Sequence, residues 1–237
     1  MNKNIKIILG ITYLISFSLL FYLIFSYVDL KDLTSYKFIR ENSLILVDIK
    51  NNNLIIFSII FIIFSIIWIL LLGFATPLAL ASGFIFGQWL GTIISLVSLT
   101  AGCTLLYLLA QIYFKEIIIK HIEPKIKKYK KLFNENEFLY FTMFRFCGGA
   151  GIPFCIQNIL PVIFNMKIIN YFFASLIGLT PVLFITNALG QGIKNVLSKN
   201  QNIYFIDIIS DPNIFMPIAA FITIILISIF IKKFFFK

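Results

Sequence analysis

From Asn51 to Phe114 the chain carries no Asp, Glu, Lys or Arg, an uncharged run of 64 residues. A helix needs roughly 20 apolar residues to cross a bilayer, so this run holds two crossings with residues to spare. No water-soluble fold could bury it. Composition agrees: 60% of the 237 residues are hydrophobic and 13% charged, against about 45–50% and about 25% in a soluble domain. In lipid each backbone N–H must be satisfied within its own segment, so the Ile- and Phe-rich runs read as helices, not strands. The chain is thus expected to be an all-α, polytopic integral membrane protein. Soluble enzymes, nucleic-acid-binding domains and secreted disulfide scaffolds are excluded.

The net charge is +10, unevenly spread. Residues 115–137 hold seven lysines and four glutamates, and Lys232, Lys233 and Lys237 crowd the C-terminal end. Basic flanks on hydrophobic segments point to cytoplasmic loops facing anionic lipid, not to nucleic acid. Cys103, Cys147 and Cys155 are odd in number and unrelated in spacing, so they form no disulfide framework. With His121 the only histidine, no Cys/His metal site is expected. There is no phosphate-binding Walker loop and no nucleophile–base constellation, so neither a cofactor nor catalysis is expected.

Three parts follow from the patterning. Residues 1–53 contain an N-terminal crossing at about 7–28 and a polar connection. Its uncharged run ends without an A-x-A-like cleavage site, so it reads as a retained helix. Residues 54–195 form the core, and 196–237 hold a last crossing at about 213–231 and a basic tail. Within the core, a plain crossing at about 54–72 precedes a segment with Pro77, Gly83, Gly87 and Gly91. Two readings fit that spacing: a small-residue packing stripe on one helix, or a re-entrant hairpin with the glycines at its bend. The hairpin reading places a further helix at about 92–114. Residues 115–137 carry Ile118, Ile122, Ile126, Tyr129 and Phe133 on one helical face. They read as an amphipathic helix kinked at Pro124 on the membrane surface, or as a solvated basic loop.

The second half repeats the plan. Phe144 to Pro161 is again broken, by Gly148, Gly149, Gly151, Pro153 and Pro161, and a crossing at about 168–190 carries Gly178, Pro181 and Gly190. At an offset of 76 residues, Pro77, Ile93, Gly102 and Thr104 meet Pro153, Ile169, Gly178 and Thr180. That identity is no more than chance allows in so biased a composition, so the repeat is an architectural expectation only. Five crossings plus two hairpins place fifteen Lys/Arg on one face and four on the other. The positive-inside rule makes the first face cytoplasmic. An extra crossing within 77–114 would change that parity.

Arg145 is the most informative residue. It lies on the order of 10 Å beyond Glu137 at 1.5 Å per helical residue, inside an otherwise uncharged segment. A charge at that depth faces a cavity or a ligand, or else snorkels to the interface. No intramembrane carboxylate is available to pair with it, which suits an anionic ligand such as phosphate. The Gly148-Gly149-Ala150-Gly151 backbone could add an anion-binding nest, or serve as a plain linker. Gln157 and Asn158 could cap half-helices or line a polar path.

These residues carry a resemblance. Ala75-Thr76-Pro77, Ala81-Ser82-Gly83-Phe84-Ile85-Phe86-Gly87, Gly91 and Gly102 resemble the first half of the DedA/VTT-domain superfamily. Its branch of SNARE-associated Golgi proteins is the most similar. Phe144-Arg145, Ile152-Pro153-Phe154, Asn158, Phe172, Gly178, Pro181 and Gly190 resemble the second half. The likeness spans about 70–195. It implies two oppositely inserted re-entrant hairpins with flanking helices, in an inverted-repeat-like arrangement, and lipid movement across the bilayer. Bacterial members are associated with undecaprenyl phosphate recycling and envelope homeostasis, sometimes proton-coupled, and eukaryotic members with phospholipid scrambling. Arg145, Pro153 and Asn158 match the second-hairpin motif, and Pro77, Gly83 and Gly87 the first. The chain departs from the pattern at Cys147-Gly148-Gly149, where a proline is frequent after the arginine. It also lacks an acidic residue in Leu72–Pro77, and has Gln111 near where an arginine is common.

The expectation is therefore a lipid transporter or scramblase for a phosphorylated lipid, either a polyprenyl phosphate or a phospholipid. Its substrate-binding residues would be Arg145, Gly148, Gly149, Pro153, Gln157 and Asn158. Pro77, Gly83, Gly87, Gly91, Gly102, Gly178, Pro181 and Gly190 would shape the hairpins and helix contacts. Anionic or phosphate-bearing membrane lipids are the expected partners. Heavy use of Ile, Lys, Asn and Phe suggests an AT-rich bacterial genome, hence the plasma membrane. Two alternatives stand beside this: a small-solute or ion transporter, and a non-transporting membrane-organising protein.

Overall fold

The computed structural model describes residues 50, 52–71, 73–116, 119, 133, 135–199 and 211–235. The crossing expected at 7–28 lies outside them, as do most of the two polar connections and of the basic segment 115–137. The chain divides into two compact units, residues 1–57 and 58–237. The described part of the first is little more than the start of one helix.

Every described element is helical. α1 (Leu54–Leu70) leads to α2 (Ala75–Phe86) and α3 (Gln88–Leu109), which ends in a π-helical turn, Ala110–Phe114. α4 (Glu137–Phe146) is followed by a 3-10 turn, Gly148–Gly151. α5 (Phe154–Ile159) continues into a second 3-10 turn, Leu160–Phe164. α6 (Ile168–Lys199) and α7 (Pro212–Phe235) complete the chain. Among the described residues, two apolar helical stretches are long enough to cross a bilayer: Gln88–Phe114, 27 residues, and Ile168–Val196, 29 residues. Each reaches about 40 Å at 1.5 Å per residue, more than the ~30 Å hydrocarbon layer.

The glycine-spaced segment resolves into parts of both readings. Pro77 sits in the first turn of α2, where its missing N–H would be unpaired anyway. Gly87, at φ 85° and ψ 174°, adopts a conformation essentially closed to other residues, and there the chain reverses from α2 into α3. The helix after the bend therefore starts at Gln88, four residues earlier than expected. Gly83 and Gly91 are packing glycines. A Cβ on Gly83 would stand 2.1 Å from the Asn187 carbonyl oxygen of α6. One on Gly91 would stand 2.8 Å from the Ser82 carbonyl oxygen across the hairpin. Ser82 Oγ donates to the Gly91 carbonyl at 2.9 Å, clasping the two arms. Gly190 of α6 returns the approach: its Cβ would lie 2.2 Å from the Leu80 carbonyl oxygen. Helices in lipid associate through van der Waals contact and hydrogen bonds, so this small-residue seam is what holds α2 against α6.

α6 is the hub, packing against α2, α3, α4 and α7. It runs antiparallel to α3. Tyr107 stacks on Tyr171 at 4.5 Å near one end, and Asn187 Nδ2 donates to Ser95 Oγ at 3.0 Å near the other. Phe133 is the one member of the expected amphipathic face among the described residues. It is buried and stacks on Phe164 at 4.1 Å, so it belongs to the core.

The 76-residue offset reappears as geometry. A Cβ on Gly102 of α3 would touch Ile69 and Ile66 of α1, at 3.0 and 3.4 Å. A Cβ on Gly178 of α6 would touch Arg145 and Thr142 of α4, at 2.5 and 2.7 Å. All three pairs, 102 with 178, 69 with 145 and 66 with 142, differ by 76 positions. The halves thus share a helix–helix contact at equivalent residues, which four scattered identities could not show.

Gly83→Ala is expected to lower stability by about 1–3 kcal/mol, the range for overpacking a tight contact, because the neighbouring atoms are backbone. The lipid-side control Ile93→Ala, at a 60% exposed position, should be near neutral. Thermal unfolding in detergent checks this; an unshifted midpoint for Gly83→Ala would refute the close contact.

Candidate anion site around Arg145

α4 begins with a cap that fixes its register. Asn136 Oδ1 accepts from the Leu139 amide at 3.0 Å, and Glu137 lies in the first turn, where a negative charge suits the helix dipole. Glu137 Oε1 also accepts from Asn170 Nδ2 at 2.6 Å and from the Lys167 amide at 3.2 Å, tying the start of α4 to the start of α6. Eight residues on, about 12 Å along the helix, Arg145 is completely buried. It does not snorkel.

Its stem reaches the interior because Gly178 has no side chain: any Cβ there would lie 2.5 Å from Arg145 Cβ. The guanidinium then meets three neutral acceptors. Nη1 donates to Gln157 Oε1 at 3.3 Å, and Nη2 donates to Asn158 Oδ1 at 2.6 Å and to Tyr171 Oη at 2.9 Å. Phe141, Phe154 and Tyr171 turn ring faces towards it at 4.9, 5.4 and 5.8 Å, each offering a cation–π attraction. The Cys103 thiol of α3, fully buried, lies beside Arg145 and Asn158. A buried cation is costly unless its donors are satisfied, and this cluster does much of that with dipoles and rings.

It does not finish. Arg145 Nε and Asn158 Nδ2 are buried with no oxygen or nitrogen acceptor, and the Cys103 sulfur, a weak acceptor, is what Arg145 and Asn158 have beside them. The orientation of the Asn158 amide is not arbitrary: its oxygen must face the guanidinium, which can only donate, so its NH2 is left over. Both leftover groups are donors beside a positive charge. The cluster is short of acceptors.

Gln157 links the guanidinium to the glycine loop. Its Nε2 donates to the Ile152 carbonyl at 2.7 Å and the Gly148 carbonyl at 3.3 Å, while its oxygen faces Arg145. Gly149 lets it lie flat, since a Cβ there would be 2.0 Å from Gln157 Cδ. Gly148, Gly149 and Gly151 all have positive φ, so the loop curls tightly over the amide. What the loop turns towards Gln157 is carbonyl oxygen. Pro153 starts α5, and its carbonyl accepts from the Gln157 amide at 3.0 Å.

Of the residues singled out beforehand, Arg145, Gln157 and Asn158 meet directly, with Gly148 and Gly149 holding Gln157 and Gly178 seating Arg145. Pro77, Gly83, Gly87, Gly91 and Gly190 belong instead to the α2–α3 hairpin and its seam with α6. That seam has its own buried polar group: Asn187 Nδ2 donates to Ser95 and to the Leu183 carbonyl, and Gln191 Oε1 accepts from the Gln88 amide. Asn187 and Tyr171 lie sixteen residues apart on α6, about 24 Å. Sequence reasoning gave no site role to Tyr171, Phe141, Phe154, Cys103 or Asn187. A usable signal existed for Tyr171, which sits two turns before Gly178 on one helix face. Gln111 lies in the π-helical turn ending α3. Among the described residues no group of three His, Cys, Asp or Glu is placed to hold a metal.

Long apolar helices, a broken helix pair and a buried arginine with no carboxylate partner among the described residues define a helical membrane protein. The VTT domain family model matches residues 72–192, from just before α2 to the last turns of α6, and the chain belongs to that family, the DedA family. It is similar to a protein described as "Uncharacterized protein YqeD" from Bacillus subtilis (strain 168), with 28% identity over 129 residues. That match covers 54% of this chain and 61% of the relative, so the chain spans about three-fifths of the relative's length. No solved structure matches.

Tyr171→Phe removes one acceptor from Arg145 and keeps the stack on Tyr107. It is expected to cost about 1.5–3 kcal/mol, the range for hydrogen bonds to charged groups, read as a lower thermal midpoint. No change would mean that Arg145 does not depend on the phenol.

Proposed function

We propose that the protein moves a phosphate-bearing lipid between the leaflets of a bacterial plasma membrane. The observation that carries this is the Arg145 pocket: a fully buried cation with only neutral partners and two unpaired donors. It lies between two helices each long enough to cross the bilayer. Arginine presents a planar fork that matches phosphate oxygens. A lipid headgroup would replace the Gln157 oxygen on Arg145 and accept from Nε and from Asn158 Nδ2, while its tails stay in the hydrocarbon. In this reading α2 and the α4–α5 pair are the re-entrant segments, entering from opposite faces, and the expected helix at 7–28 with α1, α3, α6 and α7 makes the five full crossings. The basic segment 115–137 lies on the cytoplasmic side. Placement in the SNARE-associated branch rests on the motif resemblance.

Arg145→Ala in proteoliposomes is expected to reduce leaflet transfer of an anionic phospholipid at least about tenfold, the equivalent of about 1.4 kcal/mol, with expression and gel-filtration profile retained. Transfer at the wild-type rate by that variant would overturn the proposal.

A further inference from the structure

The two halves differ at the pocket in a way that bears on ligand charge. At the 76-residue offset, Arg145, Asn158 and Tyr171 correspond to Ile69, Ser82 and Ser95, all fully buried. The first half therefore repeats the helix contact and the small polar groups, but its counterpart of the cation is an isoleucine. Within the described residues around the site, Arg145 is the one permanently charged group acting on Cys103 and on Tyr171. All three acceptors on its guanidinium are neutral. The pocket holds one positive charge and nothing to balance a second negative one.

We infer that this pocket takes a singly charged phosphate ester and rejects a doubly charged one; the inference rests on the transport reading above. A buried ion pair is tolerable when charge and hydrogen bonds both close, and an uncompensated buried charge is not. A phosphodiester headgroup carries one charge. It would neutralise Arg145 while its oxygens meet Nε, Nη1 and Asn158 Nδ2. A phosphomonoester above its second ionisation carries two charges, and the second would be buried without a partner. A monoester could enter only as its protonated monoanion. The pocket thus separates the two lipid classes that the fold alone leaves equal. A diester should be handled alike across pH, and a monoester progressively worse as pH rises.

The test uses the full chain in phosphatidylcholine vesicles with trace phosphatidylglycerol, a diester, or phosphatidic acid, a monoester, at pH 5.5 and 8.5. Leaflet transfer is read in the vesicles, and ligand-induced thermal stabilisation in detergent. Phosphatidylglycerol transfer is expected to change little between the two pH values. Phosphatidic acid transfer should fall on the order of 100-fold, following the monoanion through a second pKa near 6. Phosphatidic acid transfer sustained at pH 8.5, lost in Arg145→Ala, would overturn the charge rule and leave the transport reading standing. No Arg145-dependent transfer or stabilisation with any ligand would sink both. Glycerophosphoglycerol and inorganic phosphate separate a lipid from a soluble source. Arg145-dependent stabilisation by the soluble diester without lipid movement keeps the monoanion rule and overturns the transport reading. Asn158→Asp guards against misfolding of the alanine variant, because it places a single charge against Nη2 and replaces a donor that makes no hydrogen bond. It should fold at least as stably as wild type and lose phosphatidylglycerol transfer at least tenfold; wild-type transfer by it would overturn the charge rule.

Discussion

A guanidinium held out of water, with no carboxylate against it among the described residues, is the constraint around which the second half of this molecule is arranged. The neighbours of Arg145 are intelligible as answers to its charge. Gly178 yields the volume its stem needs, Asn158 and Tyr171 supply oxygens, and three aromatic faces supply quadrupoles. Tyr107 then stacks on Tyr171 and carries the constraint into α3. Through that stack the half that holds the charge is coupled to the half that has none. A protein needing only a stable helix bundle would be better served by an apolar residue here, since replacing buried ions with well-packed hydrophobic groups is often neutral or stabilising. Ile69 shows the fold doing so at the equivalent position of the other half.

The repeat explains why one architecture can hold two dissimilar interiors. Each half presents a helix, a broken segment and a long helix, and in each a glycine of the long helix receives the first helix. Close approach in lipid depends on backbone meeting backbone, which requires small residues at matching places and little else. The contacts that build the halves are therefore largely independent of the residues filling the space between them. Ser82, Ser95 and Asn187 close one end of the α3–α6 pair with hydrogen bonds among neutral groups. Arg145 occupies the other end, where the donors are left in surplus.

Much of the fold was legible, because its signals are periodic or steric. The uncharged run announced helices in lipid, and Pro77 with Gly87 announced a break. The break fell at one glycine while its neighbours four residues away served packing, a division that spacing cannot express. The repeat was nearly invisible for a related reason: what is shared is the empty space above Gly102 and Gly178, and the residues filling it, Ile69 and Arg145, are chemically opposite. Arg145, Gln157 and Asn158 stood out as polar groups in apolar sequence. Phe141, Phe154 and Cys103 did not, since an aromatic ring or a thiol in so apolar a chain looks the same whether it faces lipid or a guanidinium. The direction of a side chain across two separate helices is a tertiary fact, and no local pattern encodes it.

The partners of Arg145 are not held equally. Asn158 and Tyr171 belong to helices packed on their neighbours, so withdrawing either would disturb α3 or α6. Gln157 is held differently. Its amide bonds two carbonyls of the Gly148–Ile152 loop, and an added Cβ on Gly148 or Gly151 would meet no neighbour within 4 Å. Local opening draws on the segments with the fewest packing contacts, and of the groups around Arg145 this loop has the least to lose. The oxygen that Gln157 presents to Nη1, at 3.3 Å, is also a longer contact than the 2.6 Å bond from Asn158. A charged phosphate oxygen makes a stronger bond to arginine than a neutral amide does. Entry of an anion would then exchange the weakest acceptor for a stronger one, and the released Gln157 side chain would keep both of its loop carbonyls as partners. The exchange would leave one neutral acceptor, Gln157 Oε1, without its donor, against charge-assisted bonds gained at Nη1 and Nε.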